Sequence, residues 1–419
     1  MAKKIILIVL LLLVFILVAG IIYFELDPKN TNINFEPANA QSETDTTIRF
    51  NSDGKLKILH IADTHLNYDK HFDSSIWVIA EACDVEKPDL VVLTGDNTHP
   101  NEDPEKTKML INALMNIFES RKIPVAVTFG NHDSETGPMT RAEIMEYYKT
   151  FSCVISADSS EGFKNCATFN IPVLASDSDK VGFNLWVFDS GDYDEDEPRH
   201  YDRVRTEQIE WYKQTSANLK KENDGETVNS VVFQHIIVPE IYDVLKKDDS
   251  KQPYAIEHIY NEGEYYMFDP EAVNYGTLNE KPCPGYYNDG QFEAMVETGD
   301  VMAVFTGHDH TNAFGVRNQN IDIYTSPMTR YKGLAYTTQY GYRVVEIDEN
   351  DTSTYKTRVE RLYDVFDFNY IKTARDNGDK YSTRIAFELA VKGGVQEGFM
   401  KLYQSVIEFF TGRQVTYPD

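Results

Sequence analysis

Positive charge is scarce in this sequence. Its 419 residues include 40 Lys and Arg against 67 Asp and Glu, a formal net charge of −27. Phosphate polymers are gripped by clustered Lys and Arg, so no nucleic-acid polymer is expected as a partner. A small phosphate ester stays open, because a bound cation can neutralise its charge locally. Cysteine is scarce too. Cys83, Cys153, Cys166 and Cys283 are the full set and none forms a CxxC pair, which argues against a structural zinc site of thiolates. Cys153 and Cys166 are near enough in sequence for a disulfide in an exported protein, with free buried thiols the equal alternative. Internal repeats and low-complexity blocks are absent and Pro is modest, while aromatics make up 12% of the chain, so the body reads as globular.

Long apolar runs are missing as well, except at the start. Lys3 and Lys4 precede residues 5–24, a run of twenty without charge, long enough to cross a bilayer as a helix. Secretory h-regions are shorter, ~7–15 residues, so residues 1–24 are expected to stay as a transmembrane signal anchor. A secreted form after cleavage is the alternative. The lysines before the run, with Glu25 and Asp27 after it, place the N-terminus inside and the body on the extracytoplasmic side by the positive-inside tendency. Residues 25–47 are polar and aperiodic and read as a linker.

From residue 48 a rhythm sets in. Candidate strands KLKILHIA, DLVVLTG and IPVAVTFG alternate with helical spacing in SSIWVIAEACDVEK and EKTKMLINALMNIFESR. Such alternation predicts βαβ units, an α/β fold and a sheet covered on both faces. Further strands are expected at FNLWVFDS, NSVVFQH and VMAVFTGH, a helix at RTEQIEWYKQTSANLKKE, and an antiparallel run at NIDIYTS, YGYRVVEID and TYKTRVERL. Residues 247–290 read as a long functional insertion, and 192–200 as a solvated acidic loop. The domain is assigned to 48–364. Residues 365–419 form a C-terminal helical extension, two pieces split by Gly393 and Gly394 and packed on the body.

The chemistry stands at the strands' carboxyl ends, where open α/β sheets gather functional groups. The first strand leads to Asp63 and His65, the second to Asp96 and Asn97, the third to Asn131, His132 and Asp133. Two later strands lead to His235 and to His308 and His310. One histidine after one strand is an ordinary surface or core residue; five strands delivering His, Asp or Asn are not. Oxygen and imidazole donors suit hard-to-borderline divalent metals. Asp63, His65, Asp96, Asn131, His235, His308 and His310 are more ligands than one ion needs. A shared carboxylate between two ions ~3.5–4 Å apart would activate a bridging water and neutralise a phosphoryl group. His60 alternates into its strand and reads as structural; His71, His99, His200 and His258 lie in polar segments and read as solvated.

The ordered blocks ADTH, GDN, GNHD, FQH and GHDH, over roughly residues 48–360, resemble the calcineurin-like metallophosphoesterases. The stretches TIRFNSDGKLKILHIADTH, PDLVVLTGDN, YDRVRTEQIEWYKQTSANL and GYYNDGQFEAMVETGDVMAVFTGHDHTN are similar to the branch of plant purple-acid-phosphatase-29-like proteins and their fungal relatives. GDNTHP carries no tyrosine beside Asp96, so the resemblance stops short of a tyrosine–iron centre. It implies a four-layer α/β/β/α sandwich of two mixed sheets. It implies two divalent or mixed-valence metal ions, such as Mn, Fe or Zn. Asp63, His65 and His310 would hold one ion, Asn131, His235 and His308 the other, and Asp96 would bridge them. His132 would protonate the leaving group, oriented by Asp133 or by an acid from residues 101–105. Asn97 either meets phosphate or shapes a turn. The expected activity is phosphate monoester hydrolysis; a phosphodiesterase acting on cyclic nucleotides or phospholipid headgroups, and a non-catalytic metal-binding relative, are the alternatives.

Overall fold

The computed structural model describes residues 46–411 except 100–101, 136, 156–162, 198, 249–251, 253–254, 270–273 and 332–338. The expected anchor at 1–24 and nearly all of the linker lie outside the described residues. Among the described residues no helix is long and apolar enough to cross a membrane.

The first half alternates as its apolar pattern predicts: β1 (Lys55–Ile61), α1 (Phe72–Glu86), β2 (Leu90–Thr94), α2 (Pro104–Glu119), β3 (Val125–Thr128), α3 (Arg141–Tyr148) and β4 (Val154–Ile155). All five residues of β2, LVVLT, are buried, as a strand covered on both faces requires. Pro104 opens α2 behind Asp103, whose carboxylate accepts the Glu105 N–H, a favourable pairing of cap and first-turn proline. Next come β5 (Phe169–Leu174), β6 (Val181–Phe188), α4 (Thr206–Glu222) and β7 (Ser230–Gln234). The region of the insertion folds into α5 (Ile241–Val244), β8 (Leu245–Lys247), β9 (Ile256–Glu257), β10 (Tyr265–Phe268) and β11 (Asn274–Thr277). The chain ends with α6 (Gln291–Thr298), β12 (Val301–Thr306), β13 (Ala313–Asn318), β14 (Ile321–Thr325), β15 (Gly341–Asp348), β16 (Tyr355–Arg361), α7 (Leu362–Val365), α8 (Phe368–Asp376) and α9 (Lys380–Thr411).

These strands build two large mixed sheets, ordered β16-β15-β1-β2-β3-β4 and β11-β13-β14-β12-β7-β6-β5, beside a small sheet β8-β10-β9. In the first, β1 to β4 run parallel, and β15 and β16 are antiparallel. In the second, β6, β7, β12 and β14 run parallel. The strands' two-residue period sorts the core. Leu56, Ile58, Leu90 and Val92 face Phe183, Leu185, Val231 and Phe233 between the sheets. Leu59, Ile61, Val91 and Leu93 face outwards onto α1 and α2. Residues of α4 and α6 cover the other sheet. The result is the expected α/β/β/α layering. Each buried Leu, Val or Ile contributes roughly 1.5–3 kcal/mol.

Two expectations need correction. The supposed terminal antiparallel run is divided: β14 lies parallel to β12 in one sheet, whereas β15 and β16 close the edge of the other. The extension is not split by its glycines, for α9 runs through both. A Cβ on Gly393 would sit 2.4 Å from the Tyr363 Cβ, so glycine here permits close packing of α9 rather than ending it. Ile385, Ala386 and Leu389 join the core over α1, and Trp77 donates to Ser382 Oγ at 2.8 Å. All four cysteines are free thiols, Cys83 and Cys153 fully buried, so the disulfide alternative is not taken.

Candidate metal centre

Because β1, β2 and β3 run parallel in one sheet and β7 and β12 run parallel in the other, their carboxyl ends meet at one edge of the sandwich. Asp63 and His65 follow β1, Asp96 follows β2, Asn131 follows β3, His235 follows β7, and His308 and His310 follow β12. The backbone there is unusual. Asp63 (φ 54°), His65 (φ 40°), Asp96 (φ 49°) and His308 (φ 71°) are four of eight non-glycine residues with positive φ among the described residues. Such conformations cost roughly 1–3 kcal/mol each and concentrate at functional sites. Gly95, at φ 97°, passes so close to the third loop that a Cβ would lie 2.1 Å from the Gly130 nitrogen. At Gly307 a Cβ would lie 2.5 Å from Asp63 Oδ2.

All seven expected ligands converge. One ligand atom from each of Asp63, His65, Asp96 and His310 lies within 4.8 Å of the others, and the same holds for Asp96, His235 and His308. Asp96 belongs to both groups. Asn131 Oδ1 is 3.2 Å from His235 Nε2, which is 3.1 Å from His308 Nδ1. His65 Nε2 and His310 Nε2 are 2.9 Å apart. Asp309, between the two histidines, accepts from the Cys283 N–H at 3.2 Å and from Asn312, which explains the one-residue spacing: alternate side chains reach the site.

Two observations test whether cations fit. Asp63 Oδ1 and Asp96 Oδ2 are buried without a hydrogen-bond partner, and an unpaired buried carboxylate oxygen is costly. His235 Nδ1 is 2.9 Å from the Thr94 carbonyl; with Nδ1 donating there, Nε2 keeps its lone pair for the site. Burial pushes Asp63 up to about 8 against the opposing charge of His235. Burial would also raise Asp96, but His235 and His65 outweigh it and hold this carboxyl well below the usual range. Burial works against the charge on His235, yet Asp96 raises it to about 9. Burial lowers His65, His308 and His310, the last to about 4. The neutral imidazoles of His65, His308 and His310, joined by His235 once a cation displaces its proton, make with the carboxylates a donor set for borderline divalent ions.

His132 stands at the rim. Its backbone N–H donates to Asp96 Oδ1 at 2.8 Å and its ring lies 5.4 Å from that of His65. Asp133 does not orient it. Asp133 instead accepts the N–H groups of Gly130 and Asp96 at 2.8 Å, Asn97 at 2.9 Å and Thr98 at 3.3 Å, bracketing the second and third loops. Burial, with Asp96 adding to it, pushes its carboxyl up to about 6. The carboxylate on His132 is Glu135, whose Oε2 is 2.5 Å from Nδ1. In the 101–105 segment, Asp103 caps α2 and Glu105 pairs with Lys108 at 2.8 Å. Asn97 takes the turn role, its amide donating to the Thr128 carbonyl at 3.1 Å. His60 is structural, held between Thr94 and Ser326.

Sequence reading missed four neighbours. His99 is not a solvated histidine: it is half-buried, its ring 5.3 Å from His65 and 5.8 Å from His132. Glu135 lies three residues past His132 in the same loop. The acidic run 192–200 is not merely solvated. It follows β6 at the same sheet edge and sends the Tyr193 hydroxyl to within 3.1 Å of Asn131 Nδ2. Tyr201, next to that run, meets His308 edge-on with ring centroids 4.4 Å apart. The strand-end rule applied to β6, which ends at Phe188, would have pointed to Tyr193; Tyr201 lies too far along the loop for that rule. His200 and His258 are likewise ring-packed, on Tyr286 and Tyr242. Arg203 and Arg205 are engaged by Asp194, Asp289 and Asp202.

Comparison with known proteins agrees with this arrangement. Residues 56–312 match the profile of the family described as Calcineurin-like phosphoesterase. The chain is 29% identical over 339 residues to "Probable inactive purple acid phosphatase 14" of Arabidopsis thaliana, covering 71% of this chain and 77% of the plant protein. It is 28% identical over 309 residues to "Probable inactive purple acid phosphatase 29" of the same plant, covering 66% and 72%. "Phosphatase DCR2" of Saccharomyces cerevisiae is 25% identical over 295 residues, 64% of this chain and 46% of the yeast protein.

Proposed function

Because this chain belongs to the calcineurin-like phosphoesterase family, we propose that it is a two-metal hydrolase of phosphate esters, acting chiefly on monoesters. The observation that carries the reading is Asp96, a member of both buried donor groups, whose Oδ2 has no hydrogen-bond partner and lies 3.4 Å from both His65 Nε2 and His235 Nε2. Asp63, His65 and His310 would hold one ion with Asp96; Asn131, His235 and His308 would hold the other. Two divalent ions, when bound, neutralise phosphoryl charge and make a nucleophile available from water near neutral pH. The chain's own residues do the rest. The buried loops exclude water from the ligands, and the left-handed turns fix the donors before substrate arrives. With Nδ1 committed to Glu135, His132 presents Nε2 to the leaving oxygen and can give it a proton.

Monoester preference is supported by relatives named as phosphatases. The names of the two plant relatives include "inactive"; in this chain the whole donor set and His132 are present. The test measures metal content and hydrolysis of mono-aryl and bis-aryl phosphates together. Asp96→Asn and His235→Ala are expected to lose both bound metal and turnover. Full activity after either change would sink the site. A protein that holds two metals yet cleaves neither ester would favour the binding role instead.

A further inference from the structure

Asn131 Nδ2 donates to the Tyr193 hydroxyl oxygen at 3.1 Å. Tyr193 donates in turn to Glu135 Oε1 at 3.0 Å. The other oxygen of Glu135 accepts from His132 Nδ1 at 2.5 Å. Each donor has one acceptor and each carboxylate oxygen one donor, so the chain is self-consistent. Both ends touch the metal centre: Asn131 belongs to the expected ligands, and His132 sits against His65. The tyrosine ring is fixed as well. It stacks on Tyr201 at 5.7 Å and 24°, and Tyr201 abuts His308.

The His132–Glu135 pair taken alone would be a weak device. Its side chains are 29% and 34% exposed, and ion pairs open to solvent contribute only about 0–1 kcal/mol. Side chains with that freedom would leave the ring mobile. The Tyr193 hydroxyl supplies the second anchor that a lone carboxylate lacks, and it takes its own bearing from Asn131.

We infer that Tyr193 and Glu135 are positioning residues, a relay that ties the orientation of the Asn131 amide to that of the His132 ring. Asn131 is thereby held with Oδ1 towards His235 and Nδ2 towards Tyr193. His132 is held with Nδ1 towards Glu135, leaving Nε2 as its one free nitrogen for substrate. Tyr193 comes from the loop after β6 and is separated from Asn131 by 62 residues, so the relay makes the acidic 192–200 strap part of the site. The inference rests on the reading of this centre as a phosphate-ester site.

The test uses the full-length chain in detergent, loaded with divalent metal, against aryl monophosphates whose phenols span a wide range of acidity. The variants are Glu135→Gln, Tyr193→Phe and both together. Glu135→Gln is expected to lower kcat about 10–100-fold for weakly acidic phenols, less than the roughly 10²–10⁴-fold that a general acid contributes, because the change loosens the acid without removing it. The most acidic phenol should be nearly unaffected, with KM and metal stoichiometry unchanged. Tyr193→Phe should show a smaller loss with the same dependence on the phenol, and add little on top of Glu135→Gln. A second readout needs no turnover. In the zinc-loaded chain carrying 15N-histidine, the His132 Nδ1–H signal should be protected from solvent exchange, weaker in Tyr193→Phe and absent in Glu135→Gln. An equal loss for every ester, a loss of bound metal, or an unchanged Nδ1–H signal would overturn the relay. If the unmodified chain cleaves no ester, the proposed activity fails while the nitrogen signal still decides the positioning.

Discussion

Asp133 Oδ2 accepts the backbone N–H of Asp96 at 2.8 Å, and each oxygen of Asp133 takes two such bonds. Four amides from two loops thus converge on one buried carboxylate, and the shared ligand Asp96 is held by its main chain. In Asp133→Asn an amide group faces N–H donors, and bonds to a charged acceptor contribute about 1.5–3 kcal/mol. The expected result is a loss of about 2–3 kcal/mol in urea unfolding together with weaker metal retention. An unchanged midpoint would mean that the bracket carries no weight.

Metal removal offers a second check. A ligand that binds only the folded state stabilises it by about 2.7 kcal/mol at a hundred times its dissociation constant. Chelation should therefore lower the melting temperature, and returning Mn or Zn should restore it along with hydrolysis. Identical melting curves with and without chelator would argue against resident ions.

Proton release should accompany metal uptake. In the metal-free chain burial keeps Asp63 protonated up to about 8, and Asp96 keeps His235 protonated up to about 9. Both must be deprotonated to ligate. The sign follows: affinity rises with pH through the window up to about 9 and levels off above it. Calorimetry at pH ~7 in buffers of different ionisation enthalpy should show nearly two protons released, falling towards none at high pH. Affinity that is flat between pH ~6 and ~9 would contradict this electrostatic picture.

The adjacent glycines of α9 should respond in opposite ways. Gly394 has nothing within 4 Å of a built Cβ, whereas Gly393 meets Tyr363. Gly394→Ala should stabilise the protein by about 0.5–1 kcal/mol through helix propensity. Gly393→Ala should destabilise it by about 1–3 kcal/mol through overpacking. Equal melting shifts for the two would remove the close-packing explanation of the uninterrupted helix.

What could be read from sequence was the part written in local pattern. LVVLT and VAVT announce buried strands because they are apolar throughout, and the residues after them were found by strand-end logic alone. Partners set by tertiary approach were not legible. Glu135 and Asp133 both follow His132, and only the backbone path decides which one meets its ring. Tyr193 looked like part of a charged loop because its neighbours are acidic, although its hydroxyl points the other way. The parallel placement of β14 was hidden for a similar reason: NIDIYTS states that a strand exists but not which neighbour it takes.

Each donor group draws on both sheets. β1, β2 and β3 supply Asp63, His65, Asp96 and Asn131, while β7 and β12 supply the remaining histidines. An assembly intermediate with only one sheet in place would therefore offer half a cage. Ion capture then reports the moment the two halves of the sandwich dock, and a substitution deep in the inter-sheet layer, far from any donor, can loosen the grip on the ions by letting one half slide against the other.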